Sequence, residues 1–88
     1  MPKVTIYTRA FCGYCARAVS LLERKGVAFV EIDAGADRQK RQEMIQRSHG
    51  AATYPQIFIG DLHIGGCDDM MALERSGKLD SLLSGGGV

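Results

Sequence analysis

The alternation of apolar and polar positions predicts a strand, a helix and a second strand in the first third of the chain. Residues 3–8 and 27–32 are rich in β-branched and aromatic side chains, which are typical of buried strands. The segment between them is an amphipathic helix, expected to begin close to Cys15, whose apolar positions follow i, i+3, i+4, i+7 spacing: Cys15, Ala18, Val19 and Leu22. Gly26 is placed to end this helix. Two strands joined this closely predict a right-handed crossover and parallel pairing.

A polar helix is predicted after the second strand. Residues 38–48 are strongly polar, which is typical of a helix on the surface of a domain. Asp37 precedes them and is the expected N-cap, because its carboxylate can accept the free backbone N–H groups of the first turn. Met44 and Ile45 are the expected contacts of this helix with the core.

The last part of the chain predicts a hairpin followed by a helix. Residues 55–59 are an apolar strand, and residues 60–61, Gly-Asp, are a two-residue turn signal before a short antiparallel strand at 62–64. A last helix then follows residues 65–66, both glycine, and we expect Asp68 to cap it. One further turn against the core is indicated by three apolar positions near the C-terminus: Leu79, Leu82 and Leu83.

Length and composition limit the class of protein. With 88 residues, the chain fits one domain with a single core, expected at residues 1–84, and a flexible tail at 85–88. The net charge of +1, with both signs interspersed, indicates neither a nucleic acid nor an anionic membrane surface as partner. Three cysteines are too few for a secreted disulfide framework, and neither a signal peptide nor a membrane-spanning run is visible. We therefore expect a cytoplasmic protein.

Two cysteines, Cys12 and Cys15, lie where the first strand passes into the first helix. The start of a helix has unpaired N–H groups and a partial positive charge, both of which stabilise a thiolate. We expect Cys12, on the loop side, to be the exposed nucleophile and Cys15 to lie close enough to form a disulfide with it. A zinc site would need four ligands, and the remaining candidates offer no second closely spaced pair: Cys67, His49 and His63. The sequence therefore predicts thiol–disulfide exchange.

Three segments of the chain resemble the signature segments of dithiol glutaredoxins, in the order found in that family: residues 12–15 (Cys-Gly-Tyr-Cys), 53–59 (Thr-Tyr-Pro-Gln-Ile-Phe-Ile) and 65–69 (Gly-Gly-Cys-Asp-Asp). The resemblance implies an α/β, thioredoxin-like fold, in which helices flank a four-stranded mixed β-sheet (βαβαββα). It also implies a glutathione-disulfide oxidoreductase that uses glutathione as co-substrate and has no bound cofactor. In this family the first cysteine, here Cys12, takes up the glutathionyl group, which a second glutathione or Cys15 then displaces.

The resemblance also implies which residues contact glutathione. The backbone of Tyr54, followed by a cis Pro55, would pair with the cysteinyl part of glutathione as an added strand does. Thr53 and Tyr14 would shape the groove. The partners implied are glutathione and glutathionylated or disulfide-containing proteins, with the protein acting as a monomer.

The ends of glutathione are assigned in the same way. The γ-glutamyl carboxylate would lie at Gly66 and Cys67, because free N–H groups at the start of a helix bind anions. The carboxylate of Asp68 would bind the ammonium group. Arg9 matches the family's basic residue ahead of the cysteine motif; it would hold the glycyl carboxylate and favour the Cys12 thiolate.

Two departures from the family pattern leave alternatives open. Gly13 stands where proline is usual, and Tyr54, where valine is usual, makes the groove bulkier. In the family, a small residue at the position of Gly13 accompanies some members that hold a [2Fe–2S] cluster between two protomers with glutathione. The first alternative is therefore an iron–sulfur carrier with Cys12 as its protein ligand. The second is a thioredoxin-like donor to one protein, which would need Cys15 and ignore glutathione.

The other residues with chemical potential are expected to be structural. Cys67 is predicted to be a small buried residue at a helix start, with an oxidisable regulatory thiol as the alternative. His63, on a short edge strand, and His49, at a helix end, are predicted to lie on the surface and to take no part in catalysis.

Overall fold

A computed structural model describes residues 2–85 of the chain. Eight elements follow one another in this part: β1 (Val4–Thr8), α1 (Gly13–Arg24), β2 (Phe29–Asp33), α2 (Arg38–Arg47), β3 (Gln56–Ile59), β4 (Leu62–Gly65), α3 (Cys67–Arg75) and α4 (Lys78–Leu83). The predicted succession βαβαββα is present, with one more helix at its end. Gly77, in a left-handed conformation with φ of 78°, separates α3 from α4. Gly85 closes α4 in a turn, and residues 86–88 of the predicted tail lie outside the described residues.

The four strands form one mixed sheet in the order β2-β1-β3-β4. β1 pairs with β2 in parallel and with β3 antiparallel, and β3 pairs antiparallel with β4. The predicted four-stranded mixed sheet is therefore confirmed. β2 begins two residues later than predicted, because its pairing with β1 starts at Val4 opposite Phe29.

The core lies on both faces of this sheet. Successive side chains of a strand point to opposite faces, so β1 places Ile6 on one face and Tyr7 on the other. α1, α3 and α4 cover the face of Ile6 with a large apolar cluster. On the other face, Met44 of α2 packs with Tyr7 and Phe58. Met44 is fully buried and Ile45 partly buried, as the sequence predicts. This is the layered arrangement of the thioredoxin-like fold.

The caps of two helices test the predicted helix starts. Asp37 caps α2 as predicted, with Oδ1 accepting the backbone N–H groups two and three residues on at 2.9 and 3.2 Å. The predicted cap of the last helix, Asp68, is wrong. Gly66 is the N-cap of α3, and Oδ2 of Asp69 accepts its backbone N–H at 3.0 Å. Asp68 lies in the first turn instead, where its charge still faces the positive end of the helix.

Candidate active site

Cys12 is the N-cap of α1. Its Sγ accepts the backbone N–H of Cys15 at 3.3 Å, so the sulfur takes the position that a serine or aspartate oxygen usually fills. The helix begins at Gly13, two residues before the predicted start. A thiolate on Cys12 therefore faces the unpaired N–H groups and the positive end of the helix directly.

The two motif thiols have pKa values that are shifted in opposite directions. Burial on its own would raise the pKa of Cys12, but hydrogen bonds from the Cys15 thiol and backbone N–H, with the charge of Arg9, outweigh burial and lower it. Burial, with the hydrogen bond to Cys12 as the second cause, raises the pKa of Cys15 to about 11. Cys12 is partly exposed and Cys15 is buried. Cys12 is thus the thiol that ionises first and that a substrate can reach.

Near pH 8, we expect iodoacetamide to alkylate Cys12 at least about tenfold faster than Cys15. Only about one Cys15 thiol in a thousand is ionised there, given its pKa of about 11. The greater intrinsic nucleophilicity of such a basic thiolate recovers only part of this difference. Peptide mass spectrometry after short exposures measures both rates. Similar rates for the two thiols would contradict the assignment of Cys12 as nucleophile.

A cleft of about 330 Å³ opens beside the cysteine motif, between the segment that precedes β3 and the start of α3. Seven of the eight residues predicted to contact glutathione line it: Tyr14, Thr53, Tyr54, Pro55, Gly66, Cys67 and Asp68. The Tyr54–Pro55 peptide bond is cis, as the resemblance implies. Cys67 is buried, which agrees with its structural prediction, and burial raises the pKa of its thiol.

Arg9, the eighth predicted contact, does not line the cleft. Its guanidinium carbon lies 6.0 Å from the centroid of the Tyr54 ring. The Tyr54 hydroxyl in turn donates a hydrogen bond to the carbonyl oxygen of Ala34 at 2.9 Å, which joins the segment before β3 to the loop after β2. Arg9 therefore acts on the cysteine motif through its charge, which contributes to the lowered pKa of Cys12.

Tyr54→Phe is expected to lower the free energy of unfolding by about 1 kcal/mol, because it removes the hydrogen bond to Ala34 while keeping the ring. Urea unfolding followed by circular dichroism measures the change. Tyr14→Phe is the matched control. The Tyr14 side chain is 58% exposed, so water can bond to its hydroxyl in the folded and in the unfolded protein, and its removal should cost little stability. An equal loss in both variants would show that the contact with Ala34 does not stabilise the fold.

Sequence patterns missed several residues of the cleft wall, among them two polar ones, Gln56 and Asp69, and the surface prediction for His63 was wrong. His63 is partly buried, lines the cleft and stacks on Phe58 with 4.9 Å between ring centroids. It is not a plain surface residue, because β4 places it opposite Phe58 of β3, on the same face of the sheet. Gln56 and Asp69 also line the cleft. The available signal for Gln56 was its polar side chain in an otherwise apolar strand.

Neither a metal site nor a membrane span is found within residues 2–85. No group of three or more histidine, cysteine, aspartate and glutamate side chains in this range is arranged to hold a metal ion. No helix of the described chain has both the length and the apolar character needed to cross a bilayer.

Comparison with known proteins gives one consistent family. The glutaredoxin family model matches residues 4–64. Over 84 residues, the chain is 56% identical to a glutaredoxin of Pseudomonas aeruginosa, which covers 96% of this chain and 99% of that protein. The solution structure of a Brucella melitensis glutaredoxin matches with a TM-score of 0.85 and 59% identity, over 100% of this chain and 95% of that one. The crystal structure of a buckwheat glutaredoxin–glutathione complex matches with a TM-score of 0.82 and 32% identity, over 96% and 78% of the two chains.

Proposed function

Because the chain belongs to the glutaredoxin family of thiol–disulfide oxidoreductases, we propose that it reduces glutathione mixed disulfides and protein disulfides, with glutathione as co-substrate. Cys12 is the nucleophile and Cys15 the resolving thiol. The observation that carries this proposal is a thiol of lowered pKa, Cys12, two residues before Tyr14, which lines a cleft of about 330 Å³. The buckwheat relative, solved in complex with glutathione, supports the tripeptide as the ligand of such a cleft.

In the proposed first step, the Cys12 thiolate attacks the glutathionyl sulfur of a mixed disulfide. A bond forms between Cys12 and the glutathionyl sulfur, and the substrate sulfur leaves as a thiolate that is protonated by water. A second glutathione, as thiolate, then attacks the glutathionyl sulfur on Cys12. Glutathione disulfide is released and the Cys12 thiolate is restored. The cycle consumes one free glutathione, which leaves joined to the glutathionyl group that came from the substrate, and the substrate is left as a thiol.

Cys15 acts at a later stage of the proposed cycle. Its raised pKa keeps it protonated at neutral pH, so it can donate a hydrogen bond to the Cys12 thiolate. When Cys12 is bound to a protein substrate, Cys15 loses its proton and attacks the sulfur of Cys12. The substrate sulfur leaves and takes up the proton, and a Cys12–Cys15 disulfide forms. Two glutathione molecules then reduce this disulfide to the two thiols and leave as glutathione disulfide. Protein disulfides are thereby reduced through both cysteines, whereas glutathione mixed disulfides need only Cys12.

We place glutathione in the cleft with its cysteinyl backbone against Tyr54 and cis Pro55. Since Asp69 already accepts the N–H of Gly66, the γ-glutamyl carboxylate would take the next N–H groups along, those of Cys67 and Asp68. The Asp68 side chain is exposed in the first turn of the helix and would bind the ammonium group.

The remaining predicted contacts complete this placement. Thr53 and Tyr14 form the sides of the groove. Arg9, outside the cleft wall, would attract the glycyl carboxylate by its charge. Glutathionylated or disulfide-containing proteins are the proposed partners, and the monomeric state and cytoplasmic location stay predictions.

A trapping experiment tests the proposed function. The reduced Cys15→Ser variant is mixed with one equivalent of a peptide that carries glutathione in a mixed disulfide, and the products are identified by mass spectrometry. We expect the glutathionyl group on Cys12 and the peptide free as a thiol. The wild-type protein, as control, should release both the peptide and glutathione and retain a Cys12–Cys15 disulfide.

Two other results would point to the alternatives. If Cys12 retains the peptide and releases glutathione, the cleft does not select glutathione, and a thioredoxin-like donor is favoured. If protein purified without oxygen is brown, dimeric and dependent on glutathione for its colour, the iron–sulfur carrier is favoured.

A further inference from the structure

A hydrogen-bonded chain of three side chains runs along the cleft wall from β4 to the segment before cis Pro55. Gln56, at the start of β3, is only 3% exposed. Its Nε2 donates to the carbonyl oxygen and to Oγ1 of Thr53, each at 3.0 Å. Its Oε1 lies 2.6 Å from Nε2 of His63. The amide of Gln56 is thus bonded at both ends, and it joins His63 to Thr53.

The direction of each bond in this chain follows from the chemistry of its groups. The Thr53 carbonyl oxygen only accepts, so Gln56 must turn its NH₂ group toward Thr53 and its oxygen toward His63. The Gln56 oxygen also only accepts, so Nε2 of His63 carries a proton and donates it. Burial lowers the pKa of His63, which favours the neutral ring with its proton on Nε2. A charged ring would also have a proton on Nε2, so the bond from His63 to Gln56 is kept in both protonation states of the ring.

The far end of the chain is held by the core, and the near end borders the proposed substrate. His63 stacks on Phe58, which is buried beneath the sheet face. Thr53 is exposed, lines the cleft and precedes Tyr54, whose backbone is the proposed partner of glutathione. The N–H of His63 orients the amide of Gln56, and this amide in turn holds the carbonyl of Thr53. The direction of the backbone that leads into the cis peptide bond is thereby fixed.

We propose that His63 is a positioning residue of the cleft, which acts through Gln56 to hold Thr53 and the adjoining backbone in the conformation that receives glutathione. This role rests on the proposed function, because the group whose binding it improves is the glutathionyl part of the substrate. His63 has no contact with the reacting sulfur atoms. Its loss should therefore weaken substrate binding and leave the chemical step and the pKa of Cys12 unchanged.

Two substitutions of His63 separate its donor from its ring. His63→Phe keeps a stacked ring against Phe58 but has no N–H group. His63→Gln loses the ring but places an amide N–H about where Nε2 of the imidazole lies. With a glutathione mixed disulfide of a small thiol as substrate, we expect His63→Phe to raise KM about three- to tenfold, as for the loss of one hydrogen bond. His63→Gln should stay near the wild-type KM, and kcat should change less than about twofold in both.

Gln56→Glu gives a second, independent measurement. Its carboxylate can accept from His63 but cannot donate to Thr53, so KM should rise as it does in His63→Phe. Thermal unfolding of each variant sets an assay temperature at which all of them are folded. The thiolate absorbance of Cys12, followed against pH, checks that its pKa is unchanged. If His63 had a purely structural role, its variants would be less stable, but the KM of His63→Phe would not exceed that of His63→Gln.

The outcomes distinguish the role of His63 from the proposed function itself. An unchanged KM in His63→Phe would overturn the role of His63, and so would an equal rise in KM in His63→Phe and His63→Gln. In either case a wild-type protein that turns over the glutathione substrate leaves the proposed function intact. A wild-type protein that reduces protein disulfides but not the glutathione mixed disulfide would overturn both.

Discussion

Replacing Cys12 by serine is expected to abolish the reduction of glutathione mixed disulfides, with a loss of at least about a thousandfold. A serine hydroxyl does not ionise near neutral pH, so the variant has no nucleophile at the start of α1. The same substitution at Cys15 should leave substantial activity. The backbone N–H at position 15 and the charge of Arg9 still stabilise the Cys12 thiolate in that variant, and a second glutathione completes the cycle.

The two variants are matched controls for each other, because the chemical change is the same and the positions are three residues apart. Initial rates are measured with a small glutathione mixed disulfide at saturating glutathione. Circular dichroism checks that both variants are folded. If Cys15→Ser were as inactive as Cys12→Ser, glutathione would not be able to release the glutathionyl group, and the proposed mechanism would be wrong.

Gly65→Ala is expected to lower the free energy of unfolding by about 3 kcal/mol, because it combines backbone strain with the loss of a helix cap. Gly65 has a φ of 113°, and an added Cβ would lie 2.2 Å from Oδ2 of Asp69. That oxygen accepts the backbone N–H of Gly66 at the start of α3. Alanine would therefore move Asp69 away from the helix end that borders the cleft, and KM for the glutathione substrate should rise as well.

Gly50→Ala is the matched control for this prediction. Gly50 has nearly the same φ, 112°, but nothing lies within 4 Å of an added Cβ. Its alanine variant should show the strain alone, about 1 kcal/mol, and no change in KM. Urea unfolding gives both free energies. Equal losses at the two positions would show that Asp69 moves aside without cost and that its cap does not stabilise α3.

Local patterns were sufficient for most of the fold. The spacing of apolar residues predicted α1, and the cap of α2 at Asp37 followed from the preference of a carboxylate for free N–H groups. The start of α1 was displaced by two residues, because cysteine is not a usual cap and nothing in the periodicity shows that Cys12 takes this role. The N-cap of α3 was predicted at Asp68 and lies at Gly66, because glycine has no side chain to mark it as a cap. Of the two neighbouring aspartates, backbone geometry selects Asp69 to accept the N–H of Gly66.

The part of the cleft that local patterns could not predict depends on contacts between strands. His63 faces Gln56 only because β3 and β4 pair in one register, which includes an irregularity between Ile57 and Phe58. No periodicity in the sequence encodes this shift. The position of Arg9 could not be predicted for another reason. Its side chain is long and exposed, and its direction depends on the ring of Tyr54, 45 residues further along the chain.

The position of Cys12 at the N-terminus of α1 also affects how readily the protein gives up electrons. Interactions that stabilise the thiolate are present in the reduced state and are lost when its sulfur is bonded to another sulfur. Each of them therefore favours the dithiol over the disulfide and shifts the reduction potential toward that of an oxidant. The helix terminus that lowers the pKa of Cys12 thus also weakens the protein as a reductant. Under the proposed function, the driving force must therefore come from an excess of reduced glutathione.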